Sequence, residues 1–184
     1  MTEDKLKLAL VTGAAGVLGL ATARALADDG YRVIMVDIER EKLDQLAESI
    51  GSAAYPLVLD VSEPDKVKDA SETIRREIGE VSVLVNNAGI LSNNKVADTT
   101  DDEWRRIMSI NLDGAFYLCR EWLPGMTTQG WGRIINICSL AMKTGGLTAG
   151  TGYTASKGAL AALTFSLARE TAPTGVTANG IAPA

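Results

Sequence analysis

The sequence predicts an α/β fold: one doubly wound parallel sheet with helices on both of its faces. Three observations carry this. Short apolar runs of strand length alternate with segments of helical period along the chain. The runs are apolar at successive positions, as strands buried on both faces must be. No internal repeat, low-complexity tract or linker interrupts the alternation, so residues 1–184 read as one domain.

The elements follow in order. Residues 6–11 read as a strand, followed by a glycine turn and a helix over 17–29 that Gly30 ends. The second strand, 31–36, ends in Asp37, and a helix over 39–50 stops at Gly51. A short strand, 55–59, ends in Asp60. Ser62 then caps a helix that carries Pro64 in its first turn and runs to residue 78. Residues 81–85 form the fourth strand. Thr100-Asp101-Asp102-Glu103 is a capping box opening a long helix through Trp122. Strand 133–137, helix 153–170 and strand 175–181 complete the alternation. In such a sheet, ligands bind at the carboxyl ends of the strands.

Composition narrows the function. With 46% hydrophobic and 22% charged residues, the chain reads as soluble and globular. A net charge of -5 without a basic stripe argues against nucleic acid as a partner. The polar N-terminus predicts no secretory signal, and no apolar run is long enough to span a membrane. Cys119 and Cys138 fit a reducing cytoplasm as small buried apolar side chains. The chain has no histidine, which excludes Ser-His-Asp chemistry and most zinc sites, and no metal is expected. An acid–base catalyst must be Tyr, Lys, Asp, Glu or Cys.

Two regions offer chemistry. In the first, Gly13, Gly16 and Gly19 lie between the first strand and helix, with Val17 and Leu18 among them. Backbone amides there, with the helix N-terminus, form a site for a pyrophosphate. Asp37 ends the second strand, where a carboxylate bonds both ribose hydroxyls and repels a 2′-phosphate. No Lys or Arg lies in the glycine loop or directly after Asp37, and Arg40, the nearest cation, reads as a solvated helix residue. NAD is therefore favoured over NADP. Asp60 ends a strand on the same rim, either to meet the adenine or to serve as a turn residue at a helix entry. Ile38 and Val61 adjoin the two carboxylates and are counted with them. In the second region, Tyr153 and Lys157 stand four residues apart on one helix face. A phenol has a reference pKa of ~10, which a neighbouring ammonium lowers. The spacing alone also fits a solvated helix face.

Five features in order resemble the short-chain dehydrogenase/reductase family, in its shorter single-domain branch. They are the glycine loop at Gly13, Asn86-Asn87-Ala88-Gly89 after the fourth strand, Asn111 in the long helix, Ser139 after the fifth strand, and Tyr153 with Lys157. The resemblance implies a Rossmann-type fold and an NAD-dependent oxidoreductase interconverting a secondary alcohol and a ketone. It implies Tyr153 as general acid or base and Ser139 as the hydrogen-bonding partner of the substrate oxygen. Lys157 would lower the Tyr153 pKa and bond the nicotinamide ribose, and Asn111 would anchor a water relaying protons from Lys157. Asn87, Ala88 and Gly89 would line the ribose and adenine side, Asn86 would tie strands together, and Pro183 would sit near the nicotinamide. A homodimer or homotetramer is implied through the long helix, with Trp104, Ile107, Met108, Phe116, Tyr117 and Trp122, and through the Tyr153 helix.

Two departures qualify the resemblance. The spacing Gly13, Gly16, Gly19 is similar to that of the family's extended branch, which includes epimerases and dehydratases using NAD internally. Val17 then stands where a glycine is usual, which predicts negative φ at Val17. The chain also stops just after the sixth strand, where family members continue with a substrate-covering lid and a last strand, so a fragment is expected. A dinucleotide-binding protein without turnover is the remaining rival. Met142 and Lys143 are candidates to face the substrate pocket; the substrate itself stays open.

Overall fold

The computed structural model describes residues 8–184, so Leu6 and Lys7 of the first predicted strand lie outside the described residues. Six strands form one sheet: β1 Leu8–Thr12, β2 Arg32–Asp37, β3 Ala54–Val58, β4 Val83–Asn86, β5 Gly132–Ile137 and β6 Val176–Ile181. Their order is β3-β2-β1-β4-β5-β6, and every neighbouring pair is parallel. The helices are α1 Val17–Asp28, α2 Arg40–Ile50, α3 Pro64–Glu77, α4 Asp101–Met108, α5 Gly114–Gln129, α6 Ala141–Thr144 and α7 Thr151–Thr171.

Alternation along the strands builds two cores. Leu8 and Leu10 of β1 join Ile34, Leu84 and Ile134 against Val67 and Ile74 of α3, Leu118 and Trp122 of α5, and Leu167 of α7. Ala9 and Val11 join Val33, Met35 and Val83 against Ala23 of α1 and Leu43 and Ala47 of α2. Both faces of β1 are thereby removed from water, which is why its run LALVT is apolar to its last residue but one. The strand order reverses between β1 and β4. The loops leaving these two strands diverge there and open a crevice at their carboxyl ends.

A buried polar chain crosses the sheet beside that crevice. Asn86 Nδ2 donates to Asn136 Oδ1 at 2.8 Å, and Asn136 Nδ2 donates to Thr164 Oγ1 of α7 at 2.8 Å. Asn86 thus ties β4 to β5, and the chain continues to the helix that carries Tyr153.

Three predicted elements differ, each for a physical reason. Ser62 does not cap α3. Its N–H and Oγ both bond Asp60 Oδ1, at 3.0 and 2.6 Å, and Glu63 occupies the cap position without a side-chain bond. The long helix does not stop near Trp122. It passes Pro124 and ends at Gly130, whose φ of 69° closes it in a left-handed turn. It is also interrupted, because residues Ser109–Asp113 form a π-helical turn between α4 and α5. Half of the capping box forms: the Glu103 N–H donates to Thr100 Oγ1 at 3.1 Å, while the Glu103 carboxylate accepts from Ser92 Oγ and from Asn94 Nδ2.

Asn136→Ala should leave the buried Asn86 amide with only the weaker Cys119 Sγ, 3.5 Å away, as acceptor. The expected cost is about 2 kcal/mol, read as a lower urea midpoint with an unchanged slope.

Candidate active site

β1 leads directly into the glycine turn. Gly13 adopts φ 64°, a left-handed conformation that a side chain would strain. At Gly19 a Cβ would overlap the Gly13 carbonyl, so α1 can approach the turn only with glycine there. Val17 is the first residue of α1, and no non-glycine residue among those described has positive φ, as its predicted backbone requires. Its side chain is 92% exposed. Gly16 precedes it as the helix cap and supplies no side-chain bond, so the first N–H groups of α1 are open to an anion.

The turn is locked from two sides. Asp37 Oδ2 accepts from the Ala15 N–H at 2.9 Å, and Oδ1 accepts from the N–H groups of Ile38 and Glu39 at 2.7 and 3.3 Å. Asn87 Nδ2 donates to the carbonyls of Thr12 and Gly13, and Thr12 Oγ1 accepts from the N–H groups of Asn87 and Ala88. The Asn87 amide N–H groups are therefore given to the turn.

Two adjoining cavities lie over these loops. The larger, about 410 Å³, contains every predicted dinucleotide residue of the first half of the chain: Gly13, Gly16, Val17, Leu18, Gly19, Asp37, Ile38, Asp60, Val61, Asn87, Ala88 and Gly89. Lys42, Arg106 and Ile110 also line it. The smaller, about 260 Å³, is lined by Ser139, Tyr153, Lys157 and Pro183, with Cys138, Ile90 and Leu91. Leu18, Asn87, Gly89 and Ile90 border both.

Arg40 is solvated, as its place on α2 predicts, and the cations that line the larger cavity are Lys42, two residues further along α2, and Arg106. Lys42 lies 3.7 Å from Glu39, an exposed pair. Arg106 arrives from α4, almost seventy residues away, and carries no local sequence signal. Burial pulls the Asp60 carboxyl upward, but the two Ser62 bonds and the Arg106 charge outweigh it and hold its pKa below the ordinary value. Met142 packs beside Cys138, Leu160 and Ala115, and neither it nor Lys143 lines either cavity.

Lys157 is the buried charge of the smaller cavity. It is 3% exposed, and its Nζ donates to the Ile137 carbonyl at the end of β5 at 2.7 Å. Burial pulls its pKa down to about 8, with the Cys138 thiol opposing. Its Nζ lies 5.9 Å from the centre of the Tyr153 ring. Burial also pushes the Cys138 thiol upward, and the Cys119 thiol to about 12. Both are free and buried, so neither is a ready nucleophile.

Asn111 sits at the centre of the π-helical turn, and its side chain is fixed by three bonds. Oδ1 accepts from the Ile90 N–H at 2.8 Å, and Nδ2 donates to the Ile90 carbonyl and to Ser156 Oγ, both at 3.0 Å. Ser156 Oγ in turn donates to the Tyr153 carbonyl at 2.7 Å. Gly89 has no side chain to fill the space between Asn111 and Lys157. A Cβ there would stand 3.2 Å from Asn111 Oδ1 and 3.3 Å from Lys157 Nζ. Ser139 Oγ accepts from the Ala141 N–H at 3.1 Å, which aims the hydroxyl from the start of α6.

The family profile of the short chain dehydrogenases matches residues 7–184. The chain belongs to the short-chain dehydrogenase family. It is an NAD(P)-dependent oxidoreductase of that family, on a Rossmann-type sheet. Among its relatives, the 3-oxoacyl-(acyl-carrier-protein) reductase FabG of Salmonella typhimurium is 38% identical over 177 residues, covering 96% of this chain and 72% of the relative. A 3-alpha-(or 20-beta)-hydroxysteroid dehydrogenase of Mycobacterium bovis is 39% identical over 177 residues, covering 96% and 68%. Among solved structures, an NAD+-bound xylitol dehydrogenase superposes with a TM-score of 0.91 at 35% identity, covering 99% of this chain and 71% of that one. A gluconate 5-dehydrogenase of Burkholderia cenocepacia, in complex with NADP and tartrate, gives 0.89 at 36%, covering 96% and 70%. The neighbours thus include both an NAD and an NADP complex. No helix among the described residues is long and apolar enough to cross a membrane.

In this dehydrogenase the Lys157 charge has a stability cost with a defined pH window. The folded pKa of about 8 lies below the ordinary 10.5, so the unfolded chain holds the proton to higher pH. The cost is full below pH 8 and is relieved as pH rises from 8 to 10.5. Compared with Lys157→Met, the wild type should gain ~2 kcal/mol of stability between pH 7.5 and 9.5, measured by urea denaturation at both pH values.

Proposed function

We propose that the protein is an NAD-dependent oxidoreductase that interconverts a secondary alcohol and a ketone, with Tyr153 as the general acid and base. The observation that carries this is the shared wall of the two cavities. A cleft with free helix N–H groups and a strand-end carboxylate opens directly onto a chamber holding Tyr153, Ser139 and Lys157. The residues present fit a dinucleotide. Gly16 leaves the α1 N-terminus uncapped for the pyrophosphate, and Asp37 faces the ribose end.

When bound, the nicotinamide accepts or supplies the hydride. The chain handles the proton. In oxidation, Tyr153 Oη takes the hydroxyl proton from the alcohol, and in reduction it returns one to the carbonyl oxygen. Ser139 Oγ donates to the same oxygen and orients it. The Lys157 ammonium lies 5.9 Å from the centre of the Tyr153 ring and keeps donors beyond the one given to Ile137. Asn111 does not fit a relay through its amide N–H groups, which Ile90 and Ser156 occupy. The second lone pair of its Oδ1 fits better, because it borders the gap beside Gly89 where a water could also meet Lys157.

The preference for NAD rests on Asp37. Its carboxylate repels a 2′-phosphate, while Lys42 and Arg106 at the same end temper that repulsion. The relatives are named for oxoacyl, hydroxysteroid, xylitol and gluconate chemistry, so the proposal stops at the reaction class. Association through α4, α5 and α7 as a homodimer or homotetramer is supported by Trp104, Phe116 and Phe165, which are 41%, 45% and 78% exposed. A reducing cytoplasm suits the two free buried thiols.

The deciding experiment is a panel of secondary alcohols and ketones with NAD(H) and NADP(H), followed at 340 nm. Net NADH formation with alcohol in excess is expected. An epimerase or dehydratase cycle releases none, and a binding protein turns nothing over. Tyr153→Phe should lower kcat by about 10³-fold or more while leaving the NADH dissociation constant within about twofold; retention of a tenth of the activity would refute the role of Tyr153.

Asp37→Asn should shift the ratio of NADPH to NADH dissociation constants toward NADPH by about tenfold or more, read by quenching of intrinsic fluorescence. A ratio that already favours NADPH in the wild type would overturn the NAD preference.

A further inference from the structure

We propose that Lys95 is a positioning residue for the Tyr153 site. It ties the loop that walls the reactive cavity to the turn on which the Tyr153 helix begins. The proposal rests on Tyr153 being the acid–base group.

The start of α7 is capped by another loop rather than by its own side chains. Gly150 is its cap residue and makes no side-chain bond. Its N–H donates to the Ser92 carbonyl at 2.6 Å, and the Thr151 N–H donates to the Asn94 carbonyl at 3.0 Å. Two N–H groups at the helix start are thus satisfied by the segment that leaves β4 and carries Ile90 and Leu91 into the reactive cavity. Glu103 steadies that segment from α4, accepting from Ser92 Oγ and Asn94 Nδ2.

Lys95 closes the junction. Its Nζ donates to the Gly146 carbonyl at 2.9 Å and to the Ala149 carbonyl at 2.7 Å. The turn it grips contains Gly145 and Gly146, with φ of 75° and 72°, a pair that is free to take many conformations unless held. Gly146 packs so closely on Thr154 that a Cβ would overlap the Thr154 hydroxyl. Thr154 directly follows Tyr153. The path from the ammonium to the phenol is therefore two carbonyls, one tight turn and one residue of helix. A cation near a helix N-terminus meets the positive end of its dipole, so the two carbonyls, not the helix field, hold the ammonium there.

A purely structural lysine would leave the chemistry untouched once the protein is folded. A positioning lysine would not, because small displacements of a catalytic group cost rate. The test uses Lys95→Met, which keeps the stem and removes the donors, and Lys95→Arg, whose guanidinium can still reach two carbonyls. Each is measured for NADH dissociation constant, for kcat and KM on the best alcohol or ketone of the panel, and for amide exchange over residues 146–154. Lys95→Met should lower kcat by about tenfold or more, leave NADH affinity within about twofold, and speed exchange over 146–151; Lys95→Arg should restore kcat. A kcat within twofold of wild type in Lys95→Met overturns the proposal. So does a loss that Lys95→Arg fails to restore and that NADH affinity shares. Absence of turnover across the panel counts against the proposed function instead. The tie is then decided by exchange alone, and unchanged exchange over 146–154 refutes it.

Discussion

Lys157 carries an ammonium into the interior, and much of the site answers the demands of that charge. A buried cation needs acceptors and a tolerant environment. The Ile137 carbonyl provides the acceptor because β5 ends there and releases it from the ladder. Gly89 withdraws any side chain from the ammonium, and Asn111 turns its oxygen toward the same space. The loop after β4, the end of β5 and the π-helical turn thereby converge on one charge. The cost of holding that pKa at about 8 is met at the edge of a core, because Ile137 itself packs with Val11, Val83 and Val85.

The π-helical turn at Ser109–Asp113 belongs to the same account. A widened turn sacrifices regular helix bonds and persists where tertiary contacts over-determine it. Asn111 supplies those contacts in three directions, to both backbone groups of Ile90 and to Ser156. Ser156 passes the constraint to the Tyr153 carbonyl. The helix that bears the phenol and the loop that walls its cavity are therefore registered through one amide on a third element. Rigidity of this kind would suit the proposed reaction, in which a phenol must be held against the substrate oxygen.

The residues differ in how far their roles could be read without the structure. The strands, the glycine turn and the carboxylates ending β2 and following β3 are local patterns, and local patterns survive in a linear reading. Asn86 was expected to tie strands only through the family resemblance, and its bond to Asn136 bears that out. Ser62 was misread because a serine before a proline-bearing first turn has the chemistry of a cap, yet the nearer Asp60 carboxylate captured both of its donors. The helix through Pro124 outran its predicted end because tertiary packing of Trp122 and Met126 outweighs one lost hydrogen bond. Arg106, Leu91 and Lys95 left no trace, since each reaches its site across loops whose course only the folded chain defines.

Asp37, on which the proposed NAD preference rests, is also a folding element. A carboxylate offers about four acceptor positions, and three are already taken by backbone N–H groups, one of them in the glycine turn. Its charge is thus held in place before any nucleotide arrives, at the end of a strand and against the turn that would carry the pyrophosphate. Rejection of a 2′-phosphate would follow from a charge that the turn itself needs. Relaxing that rejection by removing the side chain would loosen the Ala15 amide and the turn with it. Relaxing it from the other side, through Lys42 or Arg106, leaves the turn intact. Cations that line the cavity without bonding its backbone are the physically cheaper place for such a change.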